Sequence, residues 1–400
     1  MRVLVLDTIH GGKEIAQALA ERGHAVDMVD VYRGQEGISP SIALRGEYDL
    51  VVAPVHLDPS HPLLRDLHAP VISHHQAVKW ILGKDAPPLL VEVTGARGKT
   101  TTACALAHVL RGPGILHTSR GTVLLPEGQV VGRGGITPAA LIGPALLARS
   151  QDRWLVAEIS LGFIGLGRLG ILTSGETYRF AGGKRDALTE KLRSGDALPA
   201  VVTPPGTGEA WNRVPANRIA TASGRTCRYS WEGIEGSYEN PLLGTGAYCE
   251  PLLLATAAAC ILGIDPSPLS DFSPLEGRKV VSREGDLLVV DDSNSGTCGK
   301  TARDAISIAR AIGGKDAPLT LVIGKERGAI CEGFPPGEIA SVAREESPDR
   351  IVLVGDYDPS TVAPHAGGGV RVAGTLAEGR EIAMQSPAGS IVVLAVKTWR

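Results

Sequence analysis

Short apolar runs and amphipathic segments alternate along the chain, with glycine or proline between them. The first apolar run, Arg2–Asp7, precedes a segment with apolar positions at helical spacing over Lys13–Arg22, which predicts a strand and then a helix. The same order recurs at Leu89–Val93 with Lys99–Leu110, and again from Leu287 onward. Strands that alternate with helices pair in parallel. The pattern therefore predicts an α/β fold that contains Rossmann-like units.

Changes in composition divide this pattern into three predicted domains. The stretch Gly83–Pro88 has the composition of a linker, and a buried strand follows it directly. The alanine-rich helix predicted at Leu252–Leu262 ends the second part, after which the alternation of strands and helices resumes. We predict a Rossmann-like N-terminal domain at 1–87, a larger central α/β domain at 88–275 and a Rossmann-like C-terminal domain at 276–400.

The charge and cysteine content exclude several classes of protein. A formal net charge of −3 over 400 residues provides no general basic field, so nucleic acid and anionic membranes are not expected partners. No apolar run has membrane-spanning length, and the first residues lack the pattern of a signal peptide. The six cysteines form no C-x-x-C pair. We expect a cytoplasmic protein with reduced thiols, either a monomer or a homodimer.

A glycine-rich loop between a predicted strand and a predicted helix is the most specific chemical motif. Its sequence is TGARGKTT over 94–101. Such a loop turns backbone N–H groups toward a phosphate, and the helix N-terminus adds positive potential. Lys99 would reach the β- and γ-phosphates, and the Thr100 hydroxyl would bind Mg²⁺. We expect the nucleotide at Thr94, Gly95, Ala96, Arg97, Gly98, Lys99, Thr100 and Thr101.

Only two residues separate the glycines of this loop, and the short form resembles the phosphate loop of Mur ligases and folylpolyglutamate synthases. The strand end Leu155–Ser160 is similar to the Mur segment whose glutamate ligates Mg²⁺, which implies that Glu158 is a metal ligand together with Thr100. The resemblance implies a three-domain Mur-ligase-like architecture that uses ATP and Mg²⁺. In this architecture the N-terminal domain binds the substrate and the central P-loop domain binds ATP. The third domain is the C-terminal Mur ligase domain.

Three further segments resemble Mur motifs. Phe180–Arg185 is similar to the pattern that places a carbamylated lysine, which implies an active-site role for Lys184, although the histidine motif that precedes it in the family is absent. Arg278 matches an arginine that contacts ATP phosphates, and Asp292 matches an aspartate that contacts the ribose. The asparagines that contact adenine have no counterpart near Tyr248–Leu252, so the adenine contacts stay open. The implied catalytic residues are Lys99, Glu158, Lys184 and Arg278.

The segments Leu6–Gly12, Val29–Tyr32 and Leu116–Gly121 narrow this resemblance to the Mur-like ligases of methanogenic archaea that act on a nickel tetrapyrrole. This implies that ATP activates a propionate carboxylate of a nickel seco-tetrapyrrole as an acyl phosphate. Attack from a ring carbon then closes a carbocyclic ring. We expect His74–His75 to be a solvated surface pair rather than nickel ligands. The implied substrate contacts are His10, Gly11, Gly12, Lys13, Ser119, Arg120 and Arg185.

Two alternatives stay open from the sequence. An amide-forming Mur ligase would release phosphate only when an amine or ammonia is supplied. A nucleotide-dependent tetrapyrrole-binding protein would bind ATP without hydrolysis that the substrate stimulates. The missing adenine and second-metal motifs are the features that favour the second alternative.

Overall fold

The computed structural model describes residues 1–132, 135–275, 277–294, 296–327 and 334–398. Cys331, one of the predicted reduced thiols, lies outside these ranges. The chain forms two compact units, the first of residues 1–244 and 248–272, the second of residues 245–247 and 273–400. The first unit contains the predicted N-terminal domain and the predicted central domain except for residues 245–247 and 273–275. The boundaries at 87/88 and 275/276 stay predictions.

Four strands form the first sheet: β1 (Arg2–Leu6), β2 (Ala25–Val29), β3 (Leu50–Ala53) and β4 (Val71–Ser73). They are all parallel, in the order β2-β1-β3-β4. Val3, Leu4, Val5 and Leu6 are fully buried, as expected of a parallel strand that is covered on both faces. The helices of this part are α1 (Gly12–Glu21), α2 (Pro40–Ala43), α3 (Pro62–Arg65) and α4 (His74–Leu82).

The rest of the first unit adds strands β5 (Leu90–Thr94), β6 (Gly114–Thr118), β7 (Gly121–Leu125), β8 (Gln129–Gly132), β9 (Trp154–Glu158), β10 (Leu169–Leu172), β11 (Arg179–Phe180), β12 (Arg185–Asp186), β13 (Val201–Thr203), β14 (Arg213–Pro215), β15 (Ala220–Ser223), β16 (Thr226–Trp231) and β17 (Ile234–Glu239). Eight of the described strands form one sheet in the order β14-β13-β10-β5-β9-β6-β7-β8. Its helices are α5 (Lys99–Val109), α6 (Ile142–Ser150), α7 (Ala187–Gly195) and α8 (Cys249–Ile261).

One hydrophobic core joins the first sheet to the second. It contains Val5 of β1, Leu19 of α1 and Val78 of α4, together with Leu90 of β5 and Leu155 of β9, all of them buried. Burial of one such side chain stabilises the folded state by about 1.5–3 kcal/mol. The continuous core explains why the first two predicted domains form one compact unit.

A buried carboxylate fixes the loop over 164–167 beside β5. Glu92 is fully buried and accepts backbone N–H groups from Ile164 at 2.5 Å, Gly165 at 3.1 Å, Leu166 at 2.8 Å and Gly167 at 2.6 Å. Burial raises the pKa of Glu92, whereas the four hydrogen bonds favour the charged form. The satisfied carboxylate therefore anchors this loop to the strand that leads into the phosphate loop.

The second unit contains one six-stranded sheet among its described residues, in the order β18-β19-β23-β20-β21-β22. Only the edge strand β18 is antiparallel to its neighbour. Val392 and Val393 of β23 belong to different hydrophobic clusters, so the sheet is covered on both faces. The elements are β18 (Val280–Glu284), β19 (Leu287–Asp291), α9 (Gly299–Gly313), β20 (Leu319–Lys325), α10 (Pro336–Glu346), β21 (Arg350–Val354), β22 (Val370–Ala373), α11 (Leu376–Ala383) and β23 (Ile391–Lys397).

The prediction of an α/β fold with parallel sheets is confirmed, and most predicted elements differ from the observed ones by one to three residues at an end. The helix predicted at Lys13–Arg22 begins at Gly12, and the one predicted at Leu252–Leu262 begins at Cys249. The antiparallel strands β7, β8 and β15–β17 were not predicted, because short strands between turns give a weak periodic signal.

Among the described residues, no helix combines the length and the apolar character that crossing a membrane requires.

Candidate active site

The segment TGARGKTT forms the turn from β5 into α5 at the carboxyl edge of the second sheet. Thr94 ends β5 and Lys99 begins α5. Gly95 and Gly98 have φ values of 156° and 79°, in the region that favours glycine. A Cβ at Gly95 would lie 2.1 Å from the Thr173 hydroxyl oxygen, so a larger residue would displace the strand end beside it.

The loop brings an ammonium group, a hydroxyl and a carboxylate together. Lys99 Nζ donates to the Gly95 carbonyl at 3.1 Å and lies 3.9 Å from Glu158 Oε1. The Thr100 hydroxyl donates to Glu158 Oε2 at 2.7 Å. Glu158 ends β9 and is only 3% exposed. Hydroxyl and carboxylate oxygens are ligands that Mg²⁺ prefers. The predicted residues therefore lie together, while their roles stay predictions.

Ser119 belongs to this same group of side chains. Its backbone N–H donates to Glu158 Oε2 at 3.1 Å, and its hydroxyl lies 3.2 Å from that of Thr100. Ser119 and Arg120 are both predicted substrate contacts. The Arg120 backbone N–H donates to the Thr118 hydroxyl at 3.2 Å. Contact of Ser119 and Arg120 with substrate stays a prediction.

Two hydroxyls that follow β10 hold the phosphate loop in place. The Thr173 hydroxyl donates to the Arg97 carbonyl at 2.5 Å, and the Ser174 hydroxyl accepts the Ala96 N–H at 3.1 Å. Arg97 Nε pairs with Glu176 Oε1 at 2.9 Å. These two hydroxyls were not among the predicted site residues. The signal that could have assigned Thr173 and Ser174 to the site is their position directly after the buried parallel strand β10.

A buried lysine that the sequence analysis missed lies close to the phosphate loop. Lys191 of α7 is 1% exposed, and its Nζ has no hydrogen-bond partner among the described residues. That nitrogen lies 5.2 Å from the centre of the Tyr178 ring. Burial and the positive charge of Lys99 lower the pKa of Lys191 to about 8, while Asp186 opposes the shift. An isolated buried ammonium is costly, so the position suits a neutral amine, a modified one or one that meets an anion.

Lys184, the lysine predicted for the active site, has other surroundings. Its Nζ bonds Asp58 Oδ1 at 2.7 Å and the Ser60 hydroxyl at 2.5 Å, and 47% of its side chain is exposed. The Lys184 ammonium, together with the backbone N–H and the hydroxyl of Ser60, lowers the pKa of Asp58 to about 2. The adjacent Arg185 donates to the Val55 carbonyl at 3.1 Å. These contacts connect the 184–185 segment to the loop after β3 and give no support to a metal-binding role for Lys184.

The other predicted substrate contacts lie in the loop after β1 and in the first turn of α1. A Cβ at Gly11 would lie 2.6 Å from Ala139 Cβ, and one at Gly12 would lie 1.7 Å from the Asp7 carbonyl oxygen. Both glycines therefore allow close backbone packing. Lys13 forms an exposed ion pair 2.5 Å long. Contact of these residues with substrate stays a prediction.

The expectation that His74 and His75 form a solvated pair is wrong. Both are buried in the first turn of α4, at 2% and 5% exposure. His74 Nε2 lies 3.3 Å from the Leu6 carbonyl, and His75 Nε2 lies 2.9 Å from the Ser160 carbonyl. Burial lowers the pKa of each to about 4. The two imidazoles are neutral groups that connect α4 to both sheets.

A cavity of about 320 Å³ lies within the first unit, beside α4 and α7. The cationic side chains Lys79, Arg185 and Arg193 line it, together with the acidic Glu190. Leu161, three residues after Glu158, lines it as well. The excess of positive charge suits a ligand that carries carboxylates.

Arg278 and Asp292, predicted to contact ATP, both lie in the second unit. Asp292 directly follows β19 and is 4% exposed, and its Oδ2 has no hydrogen-bond partner among the described residues. Burial raises the pKa of Asp292 to about 7, against the positive charges of Lys279 and Arg278 and a hydrogen bond with Thr301. An unsatisfied buried carboxylate oxygen suits a ligand hydroxyl. The predicted ribose contact is consistent with this geometry and stays a prediction.

Asp292→Asn should be more stabilising at high pH than at low pH. Since the folded-state pKa of about 7 exceeds the ordinary value of 3.8, the folded state holds this proton more tightly than the unfolded state. This stabilisation of the wild type is fully present below the pKa of Asp292 in the unfolded state. It is lost as the pH rises through the pKa of Asp292 in the folded state. Between pH 5 and pH 8 the free energy of unfolding of the wild type, relative to the variant, should fall by about 2–3 kcal/mol.

Urea denaturation of both proteins at the two pH values measures this difference. Ser293→Ala changes a buried neighbour without removing an ionisable group, so its effect should be equal at both pH values. A difference between wild type and Asp292→Asn that is the same at pH 5 and pH 8 would contradict the assignment.

Comparison with known proteins defines the family. A family model described as the C-terminal domain of coenzyme F430 synthetase CfbE matches residues 281–398. The coenzyme F(430) synthetase of Methanosarcina acetivorans is 30% identical, and the match covers 100% of this chain and 99% of that protein. A pseudomurein peptide ligase type C from Methanothermus fervidus has a TM-score of 0.53 at 16% identity, covering 99% of this chain and 97% of its own.

A second solved structure agrees in fold. The UDP-N-acetylmuramoylalanyl-D-glutamyl-2,6-diaminopimelate–D-alanyl-D-alanyl ligase from Acinetobacter baumannii has a TM-score of 0.57 at 14% identity, over 96% of this chain and 94% of its own. The predicted Mur-ligase-like architecture is confirmed, and the chain is an ATP-dependent ligase of the Mur type. Within that class, it belongs to the coenzyme F430 synthetase family.

Proposed function

We propose that the chain closes a carbocyclic ring on a nickel seco-tetrapyrrole to give coenzyme F430, with ATP converted to ADP and phosphate. The observation that carries this is full-length similarity to a coenzyme F(430) synthetase, in a chain whose Lys99, Thr100 and Glu158 meet at a phosphate loop. The nickel seco-tetrapyrrole is the substrate that the resemblance of Leu6–Gly12, Val29–Tyr32 and Leu116–Gly121 implies.

The reaction needs activation because a carboxylate is a poor electrophile. A propionate oxygen attacks the γ-phosphorus of ATP, the bond to ADP breaks, and an acyl phosphate forms. A ring carbon then attacks the acyl carbon, phosphate leaves with the bonding electrons, and the attacking carbon loses a proton. The Lys99 ammonium stabilises the negative charge on the phosphoryl oxygens during the first transfer.

Thr100 and Glu158 are the residues that would hold Mg²⁺. Their oxygens lie 2.7 Å apart, and the Ser119 N–H fixes the orientation of the carboxylate. When bound, Mg²⁺ neutralises charge on the phosphate oxygens. Arg278, whose planar guanidinium matches phosphate oxygens, and Asp292 stay predicted contacts of the ATP phosphates and ribose.

We propose for Lys191 the role of the carbamylated lysine that the Mur-like motif implies for Lys184. Lys191 is buried and unpaired beside the positive charge of Lys99, whereas Lys184 is half-exposed and paired with Asp58. With its pKa lowered to about 8, a larger fraction of Lys191 than of an ordinary lysine is the reactive neutral amine near neutral pH. Addition of CO₂ to that amine forms an N–C bond and releases one proton, which gives a carbamate. The carbamate replaces a buried positive charge with oxygen ligands for a second Mg²⁺.

The basic cavity is the proposed place for carboxylate arms of the substrate. Lys79, Arg185 and Arg193 line it, and the precursor carries several carboxylates. Its volume of about 320 Å³ suits side arms rather than the whole macrocycle. Arg185, one of the predicted substrate contacts, is therefore the member of that set with the strongest structural support.

The proposed division of work follows the predicted domains. The segment 1–87 binds the tetrapyrrole, 88–275 binds ATP and Mg²⁺, and 276–400 supplies the remaining nucleotide contacts. We propose that the chain acts on a small molecule, in the cytoplasm, as a monomer or homodimer.

Release of phosphate in the absence of any amine tests the proposed function. Purified protein is given Mg-ATP and the nickel seco-tetrapyrrole acid, and the product is followed by absorbance and mass. We expect one phosphate for each tetrapyrrole that loses one water. Release that needs an added amino acid or ammonia would instead identify an amide-forming ligase. ATP binding without release under either condition would identify a binding protein.

A further inference from the structure

Two imidazoles and a carboxylate meet at the carboxyl edge of the first sheet. Asp7 directly follows β1, His10 lies three residues later, and His56 follows β3. One ligand-capable atom of each side chain lies within 4.8 Å of those of the other two. This arrangement combines residues far apart in sequence, and of its three members only His10 has a role predicted above, as a substrate contact.

Asp7 is held in a strained conformation that fixes its carboxylate. The residue is fully buried, with a φ of 105° that non-glycine residues rarely adopt. Its oxygens accept the backbone N–H groups of Ile9 at 2.7 Å and His10 at 3.0 Å. Asp7 Oδ2 also lies 3.2 Å from His10 Nδ1. Strain of this kind persists where the surroundings determine the geometry, and it is concentrated at functional sites.

His56 supplies a buried nitrogen that lacks a partner. Its Nε2 is inaccessible to solvent and has no hydrogen bond among the described residues. The ring stacks on Tyr32 at 5.6 Å between centroids and meets the edge of His10 at 4.6 Å. Burial lowers the pKa of His56 to about 4, so the imidazole is neutral at physiological pH. A neutral imidazole is the form that ligates metals.

We propose that Asp7, His10 and His56 form a binding site for a divalent transition-metal ion of the nickel, cobalt and zinc class. Imidazole and carboxylate ligands suit these ions, and ligand bonds of about 2.0–2.2 Å place neighbouring ligand atoms about 3.4 Å apart. The distance of 3.2 Å between Asp7 Oδ2 and His10 Nδ1 is close to that spacing. Small side-chain rotations bring in His56, since the atoms lie within 4.8 Å. Three protein ligands leave further coordination positions open.

The ion has two possible sources with the same ligand chemistry. A free ion would be chelated by all three side chains. Nickel at the centre of a tetrapyrrole has its equatorial positions filled, so it would take one axial imidazole; this second source rests on the proposed function. His10 is the fitting axial ligand, because Asp7 beside Nδ1 orients the ring and leaves Nε2 available, the usual arrangement behind a metal-bound histidine.

Binding of free ions to the full-length, tag-free protein tests the first source. Co²⁺ and Ni²⁺ are titrated into the wild type, and binding is followed by calorimetry and by the visible bands of Co²⁺. We expect one ion per chain at the cluster, and at least about a tenfold loss of affinity in His10→Gln and in His56→Gln. His68→Gln, at an exposed histidine elsewhere, is the matched control and should bind as the wild type does. Circular dichroism and melting temperature identify any variant that fails to fold.

Binding of the macrocycle without ATP tests the second source. The visible spectrum of the nickel tetrapyrrole should shift on binding to the wild type and to His68→Gln, and the shift should be lost in His10→Gln. The metal-free macrocycle should bind equally to all three proteins. A wild type that binds neither free ion, and shifts the nickel spectrum no more than His10→Gln does, overturns the proposal. Failure of the proposed function can be distinguished from failure of this proposal. In that case phosphate release is absent, while binding of free ions to the cluster is still measured.

Discussion

Lys99→Ala should lower phosphate release by about a thousandfold or more, the size of effect seen when a cation that stabilises a transferring phosphoryl group is removed. Lys99 begins α5, and its Nζ lies 3.1 Å from the Gly95 carbonyl and 3.9 Å from Glu158 Oε1. The ammonium is thus held over the loop at which the γ-phosphate is expected. Its loss also leaves the Glu158 carboxylate buried without this cation.

Single-turnover phosphate release, with a fluorescent ATP analogue to follow binding, measures the effect of Lys99→Ala. Lys84→Ala removes an exposed ammonium from the turn after α4 and should keep the wild-type rate. Melting temperatures separate a catalytic loss from unfolding. A folded Lys99→Ala variant that releases phosphate within tenfold of the wild type would remove the phosphate loop from the mechanism.

The phosphate loop is predictable from sequence because its geometry is local. Gly95 and Gly98 take the positive φ values, and Lys99 and Thr100 occupy the first turn of the next helix, all within six residues. Glu158 is nearly as predictable, since the carboxyl ends of parallel strands meet at one edge of the sheet. Pairing of β5 with β9 is what places it beside Thr100.

The rest of the site depends on packing between distant segments. His74 and His75 read as surface residues because two adjacent polar side chains suggest an exposed loop. Instead, the first turn of α4 is buried where the hydrophobic core joins the two sheets. The cluster of Asp7 and His56 likewise forms only because β1 pairs with β3. No local pattern carries this information.

The active-site role that a short motif predicts for Lys184, and that we propose for Lys191, shows how one motif can fit two lysines. Lys184 follows two glycines in a segment that resembles the family pattern, and Lys191 lies seven residues later in α7. The sequence does not distinguish the two lysines, since Lys184 lies three residues before α7 and Lys191 lies within it. Burial distinguishes them: Lys184 Nζ is paired with Asp58, whereas Lys191 Nζ lies unpaired near Lys99.

Lys191→Ala should lower phosphate release by about a hundredfold, the usual effect of losing one group that stabilises transition-state charge. The carbamate proposed on this nitrogen would be absent, and so would the oxygen ligands that it offers to a second Mg²⁺. Short carboxylates such as acetate or propionate should restore part of the rate, because they place an oxygen pair in the space that the side chain leaves. Lys184→Ala removes an exposed ion pair and should change the rate by less than about threefold.

Carbon-13 NMR of protein in labelled bicarbonate measures the carbamate directly. We expect one carbamate signal in the wild type and in Lys184→Ala, and none in Lys191→Ala. Because CO₂ adds to the neutral amine, occupancy should rise as the pH passes through the lowered pKa of about 8. Rescue of Lys191→Ala by acetate, with no rescue by a cation such as methylammonium, separates a carbamate from a free ammonium that binds phosphate. A signal that persists in Lys191→Ala and disappears in Lys184→Ala would return the role to Lys184.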